Sequence, residues 1–76
     1  MKPPIIAIVV PCFNEEKALP ITVKTLLTLL EQMTTKRLVS SNSFILCCND
    51  GSIDNTWSII EELHKADNRV KGISLS

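Results

Sequence analysis

Two short apolar runs, each emptying straight into a cluster of turn-forming polar residues, constrain this chain more than any other feature. Ile5-Ile6-Ala7-Ile8-Val9-Val10 ends at Pro11, and Phe44-Ile45-Leu46-Cys47-Cys48 ends at Asn49-Asp50-Gly51-Ser52. Such runs, rich in β-branched residues and without polar alternation, read as strands covered on both faces, the usual state of a parallel sheet. Between them Leu19, Val23, Leu26, Leu27, Leu30 and Met33 recur at spacings of three and four, the stripe of an amphipathic helix. Pro20 falls where a missing N–H is harmless, so this helix is expected to begin close to it. Thr34 to Asn42, with Lys36 and Arg37, reads as a surface connection. Asp54 is placed to cap a second helix carrying Trp57, Ile60, Leu63 and His64. Asp67-Asn68 closes that helix, and Val70 to Leu75 supplies a shorter third strand.

Strand, helix, strand, helix, strand is the order of right-handed parallel crossovers. The expected fold class is therefore α/β, a three-layer, mostly parallel sheet of β-α-β-α-β order, one half of a doubly wound design. With 76 residues the chain is one small domain at most. At that size folding buries only about 60–65% of the surface that the unfolded chain exposes.

Eight basic residues balance eight acidic ones, so no net field draws nucleic acid or anionic lipid. Cys12, Cys47 and Cys48 form no C-x-x-C pair and leave an odd count, which favours buried small hydrophobes in a reducing compartment over a metal site or disulfide. No run reaches the ~18–20 apolar residues of a membrane span, and the opening Met-Lys-Pro-Pro is not a signal peptide. His64 reads as a packing or boundary residue, and Trp57, Ile60 and Leu63 as core. Neither a G-x-G-x-x-G nor a G-x-x-x-x-G-K phosphate loop is present.

In open α/β sheets ligands bind outside the carboxyl ends of the strands. Both polar clusters, Pro11 to Glu16 and Asn49 to Asp54, are expected on that one rim. A ring at Phe13 can stack on a nucleobase, and Glu15 can accept hydrogen bonds from a base or a sugar hydroxyl. The plainer alternative makes Phe13 core and leaves Glu15 and Glu16 to favour the start of the next helix. Asp50 can accept a base imide N–H, Gly51 permits a turn closed to other residues, and Ser52 can bond back to it. There the plainer alternative is an Asx-type turn leading into a cap.

Taken together, Val9-Val10-Pro11-Cys12-Phe13-Asn14-Glu15-Glu16 and Asn49-Asp50-Gly51-Ser52-Ile53-Asp54-Asn55-Thr56 resemble the signature of the family 2 glycosyltransferases. The likeness is nearest to the polyprenyl- or dolichol-phosphate sugar transferase type, and runs from Ile5 to Ser76. It implies the N-terminal part of a GT-A, Rossmann-like domain that binds a nucleotide-sugar, UDP-linked by first expectation. By position, Pro11 and Phe13 would line the base pocket, Phe13 standing where the family often has Tyr. Glu15 would contact the nucleoside, and Asp50 would match the second acid of the Asp-Asp-Gly-Ser turn, which contacts the base. Asn49 stands where the first acid is usual, so the turn has lost a charge.

The resemblance also implies a divalent metal, Mg or Mn, held by an Asp-x-Asp at the end of a later strand. No Asp-x-Asp occurs in the chain. Residues 1–76 are thus expected to be the N-terminal portion of one catalytic domain, a truncated or proteolytic piece without metal ligands or catalytic residues and inactive alone. The expected parent moves a hexose to a lipid-phosphate or saccharide acceptor, in cell wall or polysaccharide biosynthesis, in the cytoplasm or at the cytoplasmic face of a membrane. A piece lacking later strands exposes a sheet edge and an apolar face, so self-association is expected. A rival reading is a non-catalytic α/β module of receiver type, with Asp50 as its strand-end acid. A receiver, however, carries an acidic pair after its first strand, where this chain has Pro-Cys-Phe.

Overall fold

The computed structural model describes residues 2–51 and 53–75. The bond expected of Ser52 to its own turn lies outside them. The chain runs β1 (Ala7–Cys12), α1 (Leu19–Thr35), β2 (Phe44–Asn49), α2 (Thr56–Ala66) and β3 (Val70–Ser74). The strands form one parallel sheet in the order β1-β2-β3, with Ala7 opposite Phe44 and Ile45 opposite Val70. The α/β class, the parallel sheet and the element order stand as read from the sequence.

Register sorts the strand residues by face. Ile8, Val10 and Cys12 share one side with Ile45, Cys47 and Asn49, and with Val70, Gly72 and Ser74. Leu19, Val23 and Leu30 of α1 and Ile60 of α2 join Cys12, Ile45, Cys47 and Val70 in one buried core. Both helices therefore cover the same face, so the described residues form two layers where three were expected, because consecutive right-handed crossovers in the order β1-β2-β3 return on one side. At β3 α2 comes so near that a Cβ on Gly72 would collide with the Ile60 side chain. The opposite side, with Val9, Pro11, Leu46, Cys48, Ile73 and Leu75, has no covering element among the described residues. Val9 is 58% exposed, and β1 alternates exposed and covered positions rather than being buried on both sides as its unbroken apolar run suggested.

Two local readings change. β1 begins two residues later than the apolar run and takes in Pro11 rather than stopping before it. As β1 is an edge strand, a residue without an N–H is tolerated where its nitrogen faces away from the ladder. Ahead of the strand, Ile6 donates its N–H to Ser43 Oγ at 3.0 Å and accepts from Phe44 N–H at 3.0 Å, so a hydroxyl completes the ladder's first rung. The connection before β2 is also less of a surface loop than its polarity implies, because Val39 and Ser43 are both buried. Pro20 stands in the first turn of α1, as its missing donor requires.

Candidate functional site

Because β1 and β2 end in register, with Cys12 opposite Asn49, the residues that follow, Phe13 and Asp50, leave the sheet side by side. Asp50 N–H donates to the Cys12 carbonyl at 3.1 Å, extending the ladder by one rung beyond the strands. Phe13 is 59% exposed and Asp50 is exposed, so an aromatic ring and a carboxylate stand free at adjoining carboxyl ends.

The two polar clusters are tied together across some forty residues of sequence. Glu15 N–H donates to Thr56 Oγ1 at 2.8 Å, Glu16 N–H to Asp54 Oδ2 at 3.3 Å, and Ile53 N–H to Asn14 Oδ1 at 2.9 Å. Asn55 Nδ2 adds a longer bond to Glu16 Oε2 at 3.4 Å. Two residues on this rim take positive φ, Asn14 at 52° and Gly51 at 68°. Asparagine and glycine are the residues for which that backbone costs least. Asp54 also accepts from the Thr56 hydroxyl and from its N–H at 3.0 Å, so it caps α2 from just outside the helix. The Thr56 hydroxyl, helped by the Thr56 and Glu16 amides, holds the Asp54 carboxyl below its usual range against the opposing effect of burial.

Among the residues singled out from the sequence, Pro11 is exposed at the penultimate position of β1, and Phe13, Glu15 and Asp50 are exposed beyond the strand ends. Asn49 differs. It is buried on the helix-covered side, with Nδ2 3.5 Å from Ser74 Oγ. The sequence reading gave no part to the Asn14 and Thr56 side chains, although both clamp the clusters together. Signals existed for each: an asparagine just past a strand end, and a threonine two residues after a capping aspartate.

Two hollows flank this rim. One of about 100 Å³ is bounded by Val10, Pro11, Cys12, Glu15, Leu19 and Thr22, and one of about 270 Å³ by Asn14, Glu15, Glu16, Lys17, Ala18 and Asp54. Both fall short of the ~300 Å³ at which small-molecule pockets begin, so the rim is a shelf rather than an enclosed pocket. A roomier groove of about 410 Å³ runs over Trp57, Ile60 and Gly72, but it contains none of the rim residues. Burial pushes the Cys12 thiol up, and the Cys47 thiol up to about 12. Neither is therefore a thiolate nucleophile, which fits their packing in the core. His64 Nδ1 lies 2.6 Å from the Val70 carbonyl, which assigns it to holding α2 against β3. No three His, Cys, Asp or Glu side chains among the described residues converge on a possible metal site. No helix among them is long and apolar enough to cross a membrane.

The family model for Glycosyl transferase family 2 matches residues 7–76. The chain is 36% identical over 73 residues to the "Uncharacterized glycosyltransferase YkoT" of Bacillus subtilis (strain 168), an overlap of 96% of the chain and 22% of that protein. It is 42% identical over 71 residues to the "Prophage bactoprenol glucosyl transferase homolog" of Escherichia coli (strain K12), covering 93% of the chain and 21% of that protein. The chain thus spans about a fifth of the length of these curated relatives. No solved structure matches it.

Proposed function

The chain belongs to glycosyl transferase family 2, and from that premise we propose that its strand-end rim holds the base and ribose of a nucleotide-sugar. Phe13 stacks on the pyrimidine, Asp50 accepts the imide N–H, Pro11 lines the edge of the base and Glu15 meets a sugar hydroxyl. Asn49 contributes from beneath. The observation that carries this reading is the exposed pair Phe13 and Asp50 at adjoining ends of β1 and β2. Stacking of a base on an aromatic contributes about 1–3 kcal/mol. A hydrogen bond to a charged acceptor adds about 1.5–3 kcal/mol and favours uracil, which offers a donor at N3, over cytosine, which offers an acceptor there.

For the whole protein we propose transfer of a hexose from a UDP-sugar to a lipid-phosphate acceptor at the cytoplasmic face of a membrane. The relative named for bactoprenol and glucosyl transfer supports the hexose and the lipid acceptor in that reading. An acceptor oxygen forms the new bond at the anomeric carbon as the bond to the UDP oxygen breaks. The proton of the acceptor passes to a base, and UDP leaves with the bonding pair. Inversion is what the family likeness implies. A divalent metal, Mg or Mn, belongs to the same likeness. The described residues offer it no ligand set, and no step here is assigned to it. Four acids, Glu15, Glu16, Asp50 and Asp54, sit in the two clusters beside Lys17, so they favour a base and ribose over a diphosphate. The 76-residue chain is accordingly a binding element that does not turn over by itself. The receiver-type alternative has no support in this rim, where Pro11-Cys12-Phe13 occupies the place of the acidic pair.

Titration of the isotopically labelled chain with UDP, CDP and ADP, followed by amide chemical shifts, tests the reading. UDP should shift Phe13, Asn14, Asp50 and Gly51, with CDP binding about tenfold or more weakly. Equal affinity for the three, or shifts confined to the Trp57–Gly72 groove, would overturn it.

A further inference from the structure

The chain has three aspartates, and their carboxylates differ in what holds them. Asp54 accepts the Thr56 hydroxyl, the Thr56 N–H at 3.0 Å and the Glu16 N–H at 3.3 Å. Asp67 accepts Arg69 Nη2 at 2.7 Å, Arg69 Nε at 3.1 Å and the Arg69 N–H at 2.9 Å. The Asp50 carboxylate is exposed and has no partner among the described residues. Its backbone, by contrast, is pinned, with the Asp50 N–H on the Cys12 carbonyl at 3.1 Å. Gly51 follows at φ 68°, and its N–H donates to no group among the described residues. A free carboxyl therefore precedes a free amide, carried by the one residue type with no Cβ to obstruct approach.

That pairing has a chemistry of its own. As the Gly51 nitrogen bonds to Asp50 Cγ, the nitrogen loses its proton and Cγ loses a hydroxide. One water leaves and a five-membered imide closes. Water then opens the ring. Addition at Cγ restores the aspartate. Addition at the former main-chain carbonyl carbon leaves the chain running through Cβ and Cγ, with a carboxylate set directly on Cα. The water lost in the first step returns in the second, and nothing is oxidised or reduced. Elsewhere the same closure is obstructed. Asp54 and Asp67 have occupied carboxylates, and each is followed by an asparagine rather than a glycine. Asn42 is followed by the small residue Ser43, but the Ser43 N–H is held on the Ser40 carbonyl at 3.0 Å.

We propose that Asp50-Gly51 is a site of spontaneous isomerisation, at which the aspartate on the rim becomes an isoaspartyl link. The step adds a methylene to the main chain in a segment fixed on both sides, by the Asp50 N–H on Cys12 and by the Ile53 N–H on Asn14 Oδ1 at 2.9 Å. A trans peptide sets the spacing of successive Cα atoms, so an extra chain atom between two fixed points displaces the carboxylate. Isomerised chains thus lose UDP, and a bound uracil that engages the carboxylate slows the closure. The modification itself is independent of what Asp50 binds; these two consequences rest on the reading of Asp50 as the base contact.

The test is incubation of the chain for weeks at neutral pH, with and without saturating UDP, circular dichroism confirming that it stays folded. Isoaspartate is located by peptide mass spectrometry and by enzymatic methylation. It should accumulate at Asp50 and not at Asp54 or Asp67, preceded by a species lighter by one water. The fraction of chains that bind UDP should fall on the same time course, and UDP should slow both. Asp50→Glu, which could close only a six-membered imide and does so far more slowly, should show no such product. Isoaspartate absent from Asp50, or spread evenly over the three aspartates, overturns the proposal and leaves the base reading intact. Isoaspartate at Asp50 with UDP binding undiminished and no protection by UDP upholds the site and brings down the base reading instead.

Discussion

Asp50 and Phe13 divide what recognition of a pyrimidine requires: one reads an edge, the other supplies a surface. Replacing Asp50 by Asn keeps the shape but exchanges a pure acceptor for a group that also donates. Asp50→Asn should therefore bind UDP about tenfold more weakly and lose most of the preference for UDP over CDP, measured by titration calorimetry or amide shifts. Asp54 acts differently, through the fold of the rim. Its folded-state pKa is depressed, first by the Thr56 hydroxyl, so its contribution is present above the ordinary aspartate value and lost as pH falls through the depressed one. Acidification below about pH 4 should release the Glu15, Glu16 and Thr56 amides before the core melts, visible as early loss of their hydrogen-exchange protection. At this scale the sequence was legible where chain position alone decided. Phe13 and Asp50 follow strand ends, so their exposure could be foreseen. The burial of Asn49 could not, because a motif does not say which face of the sheet its last residue takes. The clamps of Asn14, Asp54 and Thr56 were hidden for another reason: they join residues 38 to 41 apart, beyond any local pattern.

Periodicity carried the elements. The leucine and valine stripe of α1 and the two apolar runs needed no tertiary information, and apart from the bounds of β1 the helices and strands lie where those patterns put them. What periodicity could not supply was the effect of neighbours. Pro11 reads as a stop, yet an edge strand admits it, and being an edge is a property of the sheet. Val39 reads as part of a polar loop, yet it packs into the core. Likewise, nothing in Val-Lys-Gly-Ile-Ser announces that α2 presses on Gly72, where Ile60 and Trp57 occupy the space of a side chain. Ile60 is fully buried and has nowhere to retreat. Gly72→Ala should thus destabilise the chain by about 1–3 kcal/mol in urea unfolding, although alanine suits a strand better than glycine does. An unchanged midpoint would mean that α2 rides higher over β3 than described.

The molecule is elongated, 44 × 21 × 18 Å, and among the described residues both helices lie on one side of the sheet. Its accessible surface of 5224 Å² exceeds the roughly 4,600 Å² of a compact monomer of this mass. Part of that surface is the sheet face bearing Val9, Ile73 and Leu75, all exposed. Three strands of five or six residues make a face about 14 by 18 Å, roughly 250 Å² and well below the roughly 800 Å² per partner that stable complexes bury, so any self-pairing through it is weak. Light scattering should show mass rising with concentration, and Val9→Lys with Ile73→Lys should abolish the rise. A constant monomer mass in the unsubstituted chain would show that the face stays open. At the carboxyl edge of the same sheet, the strand ends gather two distant segments onto one shelf. Intermolecular nuclear Overhauser contacts between uracil protons of bound UDP and the chain test it most directly. Contacts are expected from the uracil H5 and H6 protons to the Phe13 ring, with none to Phe44, whose strand-start position lies at the other end of β2. Uracil contacts to Phe44 or Trp57 with none to Phe13 would contradict it.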